Sequence, residues 1–392
     1  MAEQYLQKHI DELPTPAFLI NAGTFETNSR AMLDRAKALG ASFRAHVKTH
    51  KTVEGTRLQL QNQTSRIVVS TFKEVEGLSE MIREGTITDI LYGLPISKSW
   101  VPVADQWSRR VTLRLMIDDI EQLKFLVEYS KTVAKLQKWS IFLKIDMGTH
   151  RAGRELSDHA LKELIGYCMQ QRQYIDIHGT YCHAGHSYNS EGQLDAKKYL
   201  QAEIIAANEA AKIIRSFDSS LTLCLSIGAT PTAHVADHNV DLSGINASDD
   251  LELHAGNYPM CDLQQLSTGC ITQKNISCSV LAEVVSSYPG RGSAPGEVLI
   301  NAGVIALARE PGKLPGWGRV ITEPYNNWFV ARLSQEHGIL AATEPTASFP
   351  AYGTKLKIVP QHACISATSF PSYYIVDDFD IVIAVWTPFH GW

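Results

Sequence analysis

The stretch SFRAHVKTHKT (42–52) joins a short apolar run to a lysine at its downstream end, Lys48, which is flanked by His46 and His50. Such a run followed by a helix-like segment at 53–62 reads as one strand-then-helix unit, and the same order recurs down the chain. Strands are predicted near 42–46, 66–71, 88–92, 111–116, 140–145, 175–181, 221–226 and 251–255. Helices fall between them, at 157–172 and 193–216 for example, several opened by the Ser, Thr or Asp of an N-cap. Eight such units, with no GxGxxG after the first strand, predict a closed (β/α)8 TIM barrel rather than an open doubly wound sheet.

Beyond residue 270 the pattern changes to β-branched runs broken by Gly and Pro, at 276–288, 296–307, 329–340, 355–367 and 373–378. The predicted class is therefore α/β: a barrel over 14–270 and a C-terminal antiparallel β domain over 271–392. Part of 1–30 joins that domain, since TPAFLINAGTFETNSRAML (15–33) supplies a strand and a helix ahead of the barrel. A length of 392 residues suits two domains, and a net charge of -5 argues against a nucleic-acid partner. No window approaches a membrane span, and MAEQYLQKHIDELPTPAF lacks the apolar core of a secretory signal, so a soluble, cytoplasmic protein is expected. Seven cysteines without a CxxC pair suit a reducing compartment, most of them as packing residues.

Functional residues of a TIM barrel sit at the C-terminal ends of its strands. Lys48 follows the first predicted strand, DMGTHRAG (146–153) with Arg151 the fifth, TYCHAGHSY (180–188) the sixth, SIGATPT (226–232) the seventh and HAGNY (254–258) the eighth. The last two segments are small and rich in donors, which suits a phosphate. A lysine across from a phosphate pocket, with tyrosines between, has the layout a pyridoxal phosphate site needs, because a lysine of lowered pKa can form a Schiff base. Read alone, Lys48 equally fits a solvated turn or an anion patch. Farther on, PQHACI (360–365) falls in a predicted β run, where residues two apart share a face, so His362 and Cys364 can reach one ion. An imidazole with a thiolate suits zinc, and two protein ligands leave positions open for water and substrate. The spacing alone equally fits a buried, unmetallated His and Cys.

Together these motifs resemble the fold-type III pyridoxal-phosphate enzymes and, within them, the eukaryotic zinc-dependent D-serine dehydratases. The likeness runs from LPTPAF through RAHVKTHKT, KIDMGTHRAG, HAGHSY, GATPT, HAGNY, DLQQ and SQEHGIL to PQHACI and Trp392. It implies two cofactors, pyridoxal 5'-phosphate and Zn2+. Lys48 is then the Schiff-base lysine; Tyr181 and Tyr188 contact the cofactor; Thr230, Gly256 and Asn257 hold it, chiefly its phosphate; Arg151 contacts its ring; and His362 with Cys364 bind zinc. The implied activity is D-serine ammonia-lyase, giving pyruvate and ammonia in a homodimer, with Lys48 removing the α proton and zinc assisting the β hydroxyl.

Rival readings are a D-threonine aldolase or a D-3-hydroxyaspartate dehydratase on the same scaffold. The aldolases are expected to carry a harder His-x-Asp pair, so Cys364 argues for dehydration. A non-catalytic cofactor carrier would match only the first 260 or so residues and has no use for the β domain. His183 and His186 are expected to be donors near the cofactor rather than metal ligands. Tyr288 and Arg291 could reach the site from the second domain or a partner subunit.

Overall fold

Strand β1 (Ala17–Asn21) runs directly into the helix Ala22–Leu39 in the computed structural model, which describes residues 2–134 and 137–392. Eight strands follow: β2 (Ser42–His46), β3 (Arg66–Val69), β4 (Asp89–Pro95), β5 (Thr112–Ile117), β6 (Trp139–Lys144), β7 (Ile175–Tyr181), β8 (Cys224–Ile227) and β9 (Asp250–Ala255). All pair in parallel, and β2 closes on β9 to form the predicted barrel. Their apolar runs have a common cause: side chains on both faces are covered, and Ile90, Leu91, Leu115, Met116, Ile141 and Phe142 are all buried. Val68, Leu91, Met116, Phe142, Tyr181 and Cys224, one from each of six successive strands, pack as one cluster.

A polar network threads the same barrel. Arg44, wholly buried, donates to Glu252 at 2.7 Å and to Asp89 at 2.7 Å, while Arg114 pairs with Asp89 and Arg66 with Glu252 and Asp250. A buried guanidinium persists here because carboxylates on both sides hold it charged against the cost of desolvation.

The chain divides into two compact units: residues 31–48, 56–256 and 391–392 carry the barrel, and 2–30, 49–55 and 257–390 make up the other. In the second unit, β10 (Cys278–Pro289), β11 (Gly296–Ile300), β12 (Gly318–Val320), β13 (Trp328–Leu333), β14 (Gly338–Ala342), β15 (Lys355–Pro360), β16 (Tyr373–Val376) and β17 (Val382–Trp386) join β1 in one sheet. Its order is β11-β14-β13-β12-β15-β10-β1-β16-β17. The sheet is antiparallel apart from the β1–β16 pair, so the N-terminal strand is an interior member.

Three predicted runs differ from what forms. The run at 296–307 stops at Ile300 and re-enters as the short helix Val304–Leu307, while 329–340 is a hairpin, β13 turning at 334–337 into β14. The run at 355–367 ends at Pro360: the Gln361 side chain donates to the carbonyls of Leu314 and Gly316, and His362 precedes the short helix Ala363–Ser366. The alternation argument for His362 and Cys364 is thereby corrected, since neither lies on a strand. Among the described residues, no helix is long and apolar enough to cross a membrane.

Candidate active site

Lys48 sits in the 3-10 turn Val47–Thr49 that ends β2, its backbone N–H donating to His46 Nδ1 at 3.4 Å. Its ammonium disfavours the protonated forms of both His183 and His254, so it is within electrostatic reach of the two rings. His254, on β9, stacks on Tyr181, with centroids 4.1 Å apart and planes 10° from parallel. The Lys144 ammonium lies 5.3 Å from the Tyr181 ring centroid and donates to the Ile145 carbonyl. Burial, assisted by Arg151, pushes Lys144 down to about 8. Burial likewise raises the Tyr181 phenol above its ordinary range, against the pull of Arg151.

The tautomer of His254 follows from its neighbours. Ser226 Oγ spends its proton on Glu252, at 2.8 Å, and so accepts from His254 Nδ1 at 3.0 Å. Burial, with Lys144 and Arg44, holds the ring well below its usual pKa despite the opposing Gly228 carbonyl, leaving it neutral with Nε2 as an acceptor. Buried Nε2 makes no hydrogen bond among the described residues. An unsatisfied buried acceptor is costly and marks where a donor on a bound molecule fits.

The loop after β8 is pressed against this histidine. A Cβ at Gly228, where φ is +139°, would stand 2.1 Å from the His254 carbonyl oxygen, so only glycine permits the approach. Gly228 also accepts from His183 Nδ1 at 2.9 Å. Thr230 is buried at the start of the short helix Thr230–Ala233, and a Cβ at Gly256 would meet His46 Cβ at 3.1 Å. Tyr188 is half-buried and Arg151 exposed. His186 packs edge-on against Tyr199.

In the second unit, His362 and Cys364 are brought together by a helix N-terminus. Asp262, fully buried, accepts from the amides of Ala363 and Gln265, each at 2.9 Å, and from Asn257 Nδ2 at 2.6 Å. Asn257, expected to help hold the cofactor, turns its side chain toward the thiol, with Nδ2 3.5 Å from Cys364 Sγ. Thr49 Oγ1 stands 3.1 Å from the same sulfur, and Glu310 Oε2 lies 3.5 Å from His362 Nδ1. Burial works against the charged His362, yet Cys364, Asp262 and Glu310 outweigh it and lift the imidazole to about 9. This pocket of negative potential, with one nitrogen and one sulfur donor, fits a divalent cation of zinc's preferences.

Two other clusters with metal-ligand geometry, among the described residues, are already committed. Asp146, beside His150 and Glu155, caps the amides of Gly148, Thr149 and His150, and Glu252, beside Cys224 and Asp250, belongs to the arginine network. Tyr288 and Arg291 engage each other, the guanidinium carbon 3.4 Å from the ring centroid. All seven cysteines are buried, and none forms a disulfide.

Comparison with known proteins accords with this geometry. Residues 20–243 match the family model for the alanine racemase N-terminal domain, and 277–376 that for a serine dehydratase domain. D-serine dehydratase of Schizosaccharomyces pombe is 49% identical, covering 100% of this chain and 95% of its own. The chain belongs to the D-serine dehydratase family. The structure of D-threo-3-hydroxyaspartate dehydratase from Delftia sp. HT23 shares 28% identity with this D-serine dehydratase family member, with a TM-score of 0.84 and coverage of 98% and 100%. A cysteine-to-alanine variant of D-threo-3-hydroxyaspartate dehydratase in the metal-free form superposes with a TM-score of 0.85, at 28% identity and the same coverage.

Sequence reasoning missed Ser226, Glu252 and Lys144. Their signal was polar residues inside barrel strands, where an apolar side chain is the default.

Proposed function

We propose that this protein is a pyridoxal phosphate- and zinc-dependent D-serine dehydratase, converting D-serine to pyruvate and ammonia. The observation that carries the reading is the pairing of His362 with Cys364, an imidazole and a thiol gathered beside buried Asp262 and Asn257. Pyridoxal phosphate supplies an electron sink for the α carbon, and zinc a Lewis acid for the departing hydroxyl.

The chain's own residues divide the remaining work. Lys48 would hold the cofactor's carbonyl carbon and, once displaced, serves as the base that takes the α proton. The lone pair of His254 Nε2 would accept from a donor on the cofactor ring, and Tyr181 and Tyr188 would contact the cofactor. Thr230, Gly256 and Asn257 would hold the cofactor, chiefly its phosphate, and Arg151 would contribute positive charge near the ring. His362 and Cys364 would hold zinc, with Asp262 and Glu310 providing negative surroundings for it. The buried cysteines, none in a disulfide, support a reducing, cytoplasmic setting, and the family resemblance supports a homodimer with a role in D-amino acid catabolism and detoxification.

A pyruvate assay with D-serine, L-serine, D-threonine and D-3-hydroxyaspartate, before and after chelation with EDTA, tests the reading. D-Serine turnover lost on chelation and restored by zinc is expected. Aldol cleavage of D-threonine, or preference for the dicarboxylic substrate, would replace it with one of the rival activities. Borohydride reduction followed by peptide mapping should place a pyridoxyl group on Lys48.

A further inference from the structure

The helix Gln193–Arg215 packs against the barrel through apolar residues such as Leu200, Ile204 and Ala207, yet its fully buried Glu203 is acidic. One carboxylate oxygen accepts from the Ala184 amide at 2.6 Å, in the loop after β7. The other accepts from Thr232 Oγ1 at 2.8 Å, in the loop after β8, and the Gly228 amide supports the charged form as well. Thr232 Oγ1 in turn accepts from the Ala229 amide at 2.8 Å. One side chain therefore fastens both loops, the first carrying His183 and Tyr188 and the second Gly228 and Thr230.

We propose that Glu203 is a positioning residue that clamps these two loops to each other and so sets the geometry of the phosphate end of the cofactor site. The inference rests on the reading of these loops as cofactor-binding. A carboxylate without a partner in this position would cost far more than a leucine, so its donors have to be supplied by loops held in one arrangement. The ionisable groups that face it are Lys144, Cys182 and Tyr181. Burial is the largest influence on the carboxyl and lifts it to about 7, against the three donors and Lys144.

Three variants of the full-length protein test the clamp: Glu203→Ala, Glu203→Gln and Thr232→Val. The readouts are the dissociation constant for pyridoxal phosphate and hydrogen exchange over 182–190 and 228–236. Glu203→Ala should weaken cofactor binding by about ten- to a hundredfold, the loss expected when charge-assisted hydrogen bonds vanish. Exchange should quicken in both loops and stay unchanged in the barrel strands. Gln, which can accept from Ala184 and donate to Thr232, should restore binding to within about threefold. Cofactor affinity unchanged in Glu203→Ala, Gln as damaging as Ala, or exchange rising throughout the barrel would each overturn the clamp. Should Glu203→Ala fail to fold, Thr232→Val carries the test, since it must quicken exchange at 228–236. A wild-type protein that acquires no pyridoxyl group on Lys48 would defeat the cofactor reading, while the exchange data still report on the clamp.

Discussion

Thr49 and Cys364, 315 positions apart in the chain, place oxygen and sulfur 3.1 Å from each other. That contact makes the sulfur's position dependent on the Thr49 hydroxyl. Replacing Cys364 by Ala should abolish copurification of zinc and lower D-serine turnover by about a hundredfold or more, while Lys48 still acquires the pyridoxyl group. Thr49→Val, which removes only the outer hydroxyl, should weaken zinc binding by about tenfold. Metal analysis and a chelator competition read both, and full zinc occupancy in Cys364→Ala would exclude the sulfur as a ligand.

His254→Phe keeps a ring against Tyr181 but deletes the Nε2 acceptor. Cofactor affinity should fall by about tenfold, the worth of one good hydrogen bond. Folding stability should change by less than about 1 kcal/mol, because an unsatisfied buried atom disappears along with the Ser226 bond. Fluorescence titration and a denaturant melt separate the two effects. Unaltered affinity would remove His254 from the cofactor's contacts.

Stability should carry a pH dependence attributable to Glu203. Its carboxyl is lifted from 4.5 to about 7 by burial, so between those values the folded chain binds a proton the unfolded chain has released. Stability from this group is complete below about pH 4.5, declines as pH rises and levels off above about 7, a change of about 3 kcal/mol. Glu203→Gln should flatten that part of the curve. Parallel wild-type and variant profiles would contradict the assignment.

Arg44→Met should destabilise the barrel by about 3–5 kcal/mol, since Glu252 and Asp89 would be left as buried carboxylates without their shared counterion. Guanidinium unfolding at neutral pH measures it. A loss below about 1 kcal/mol would mean that Arg66 and Arg114 alone neutralise the pair.

Local pattern carried most of the architecture. Apolar runs of strand length, alternating with helical segments, dictated eight parallel strands, because a barrel strand is covered on both faces and so carries apolar residues at consecutive positions. The same order put Lys48, Tyr181, Thr230 and Gly256 at strand ends, where position along the chain is enough to assign a place. At PQHACI the pattern failed: Pro360, the side chain of Gln361 and the cap supplied by Asp262 turn the chain into a helix, and none of that shows in hydrophobic period. The tertiary structure alone decided the tautomer of His254, the orientation of Asn257 toward Cys364, and the two loops gathered by Glu203. Each depends on a hydrogen bond whose partners lie far apart in sequence or whose direction is set by packing, so no local run of residues encodes it.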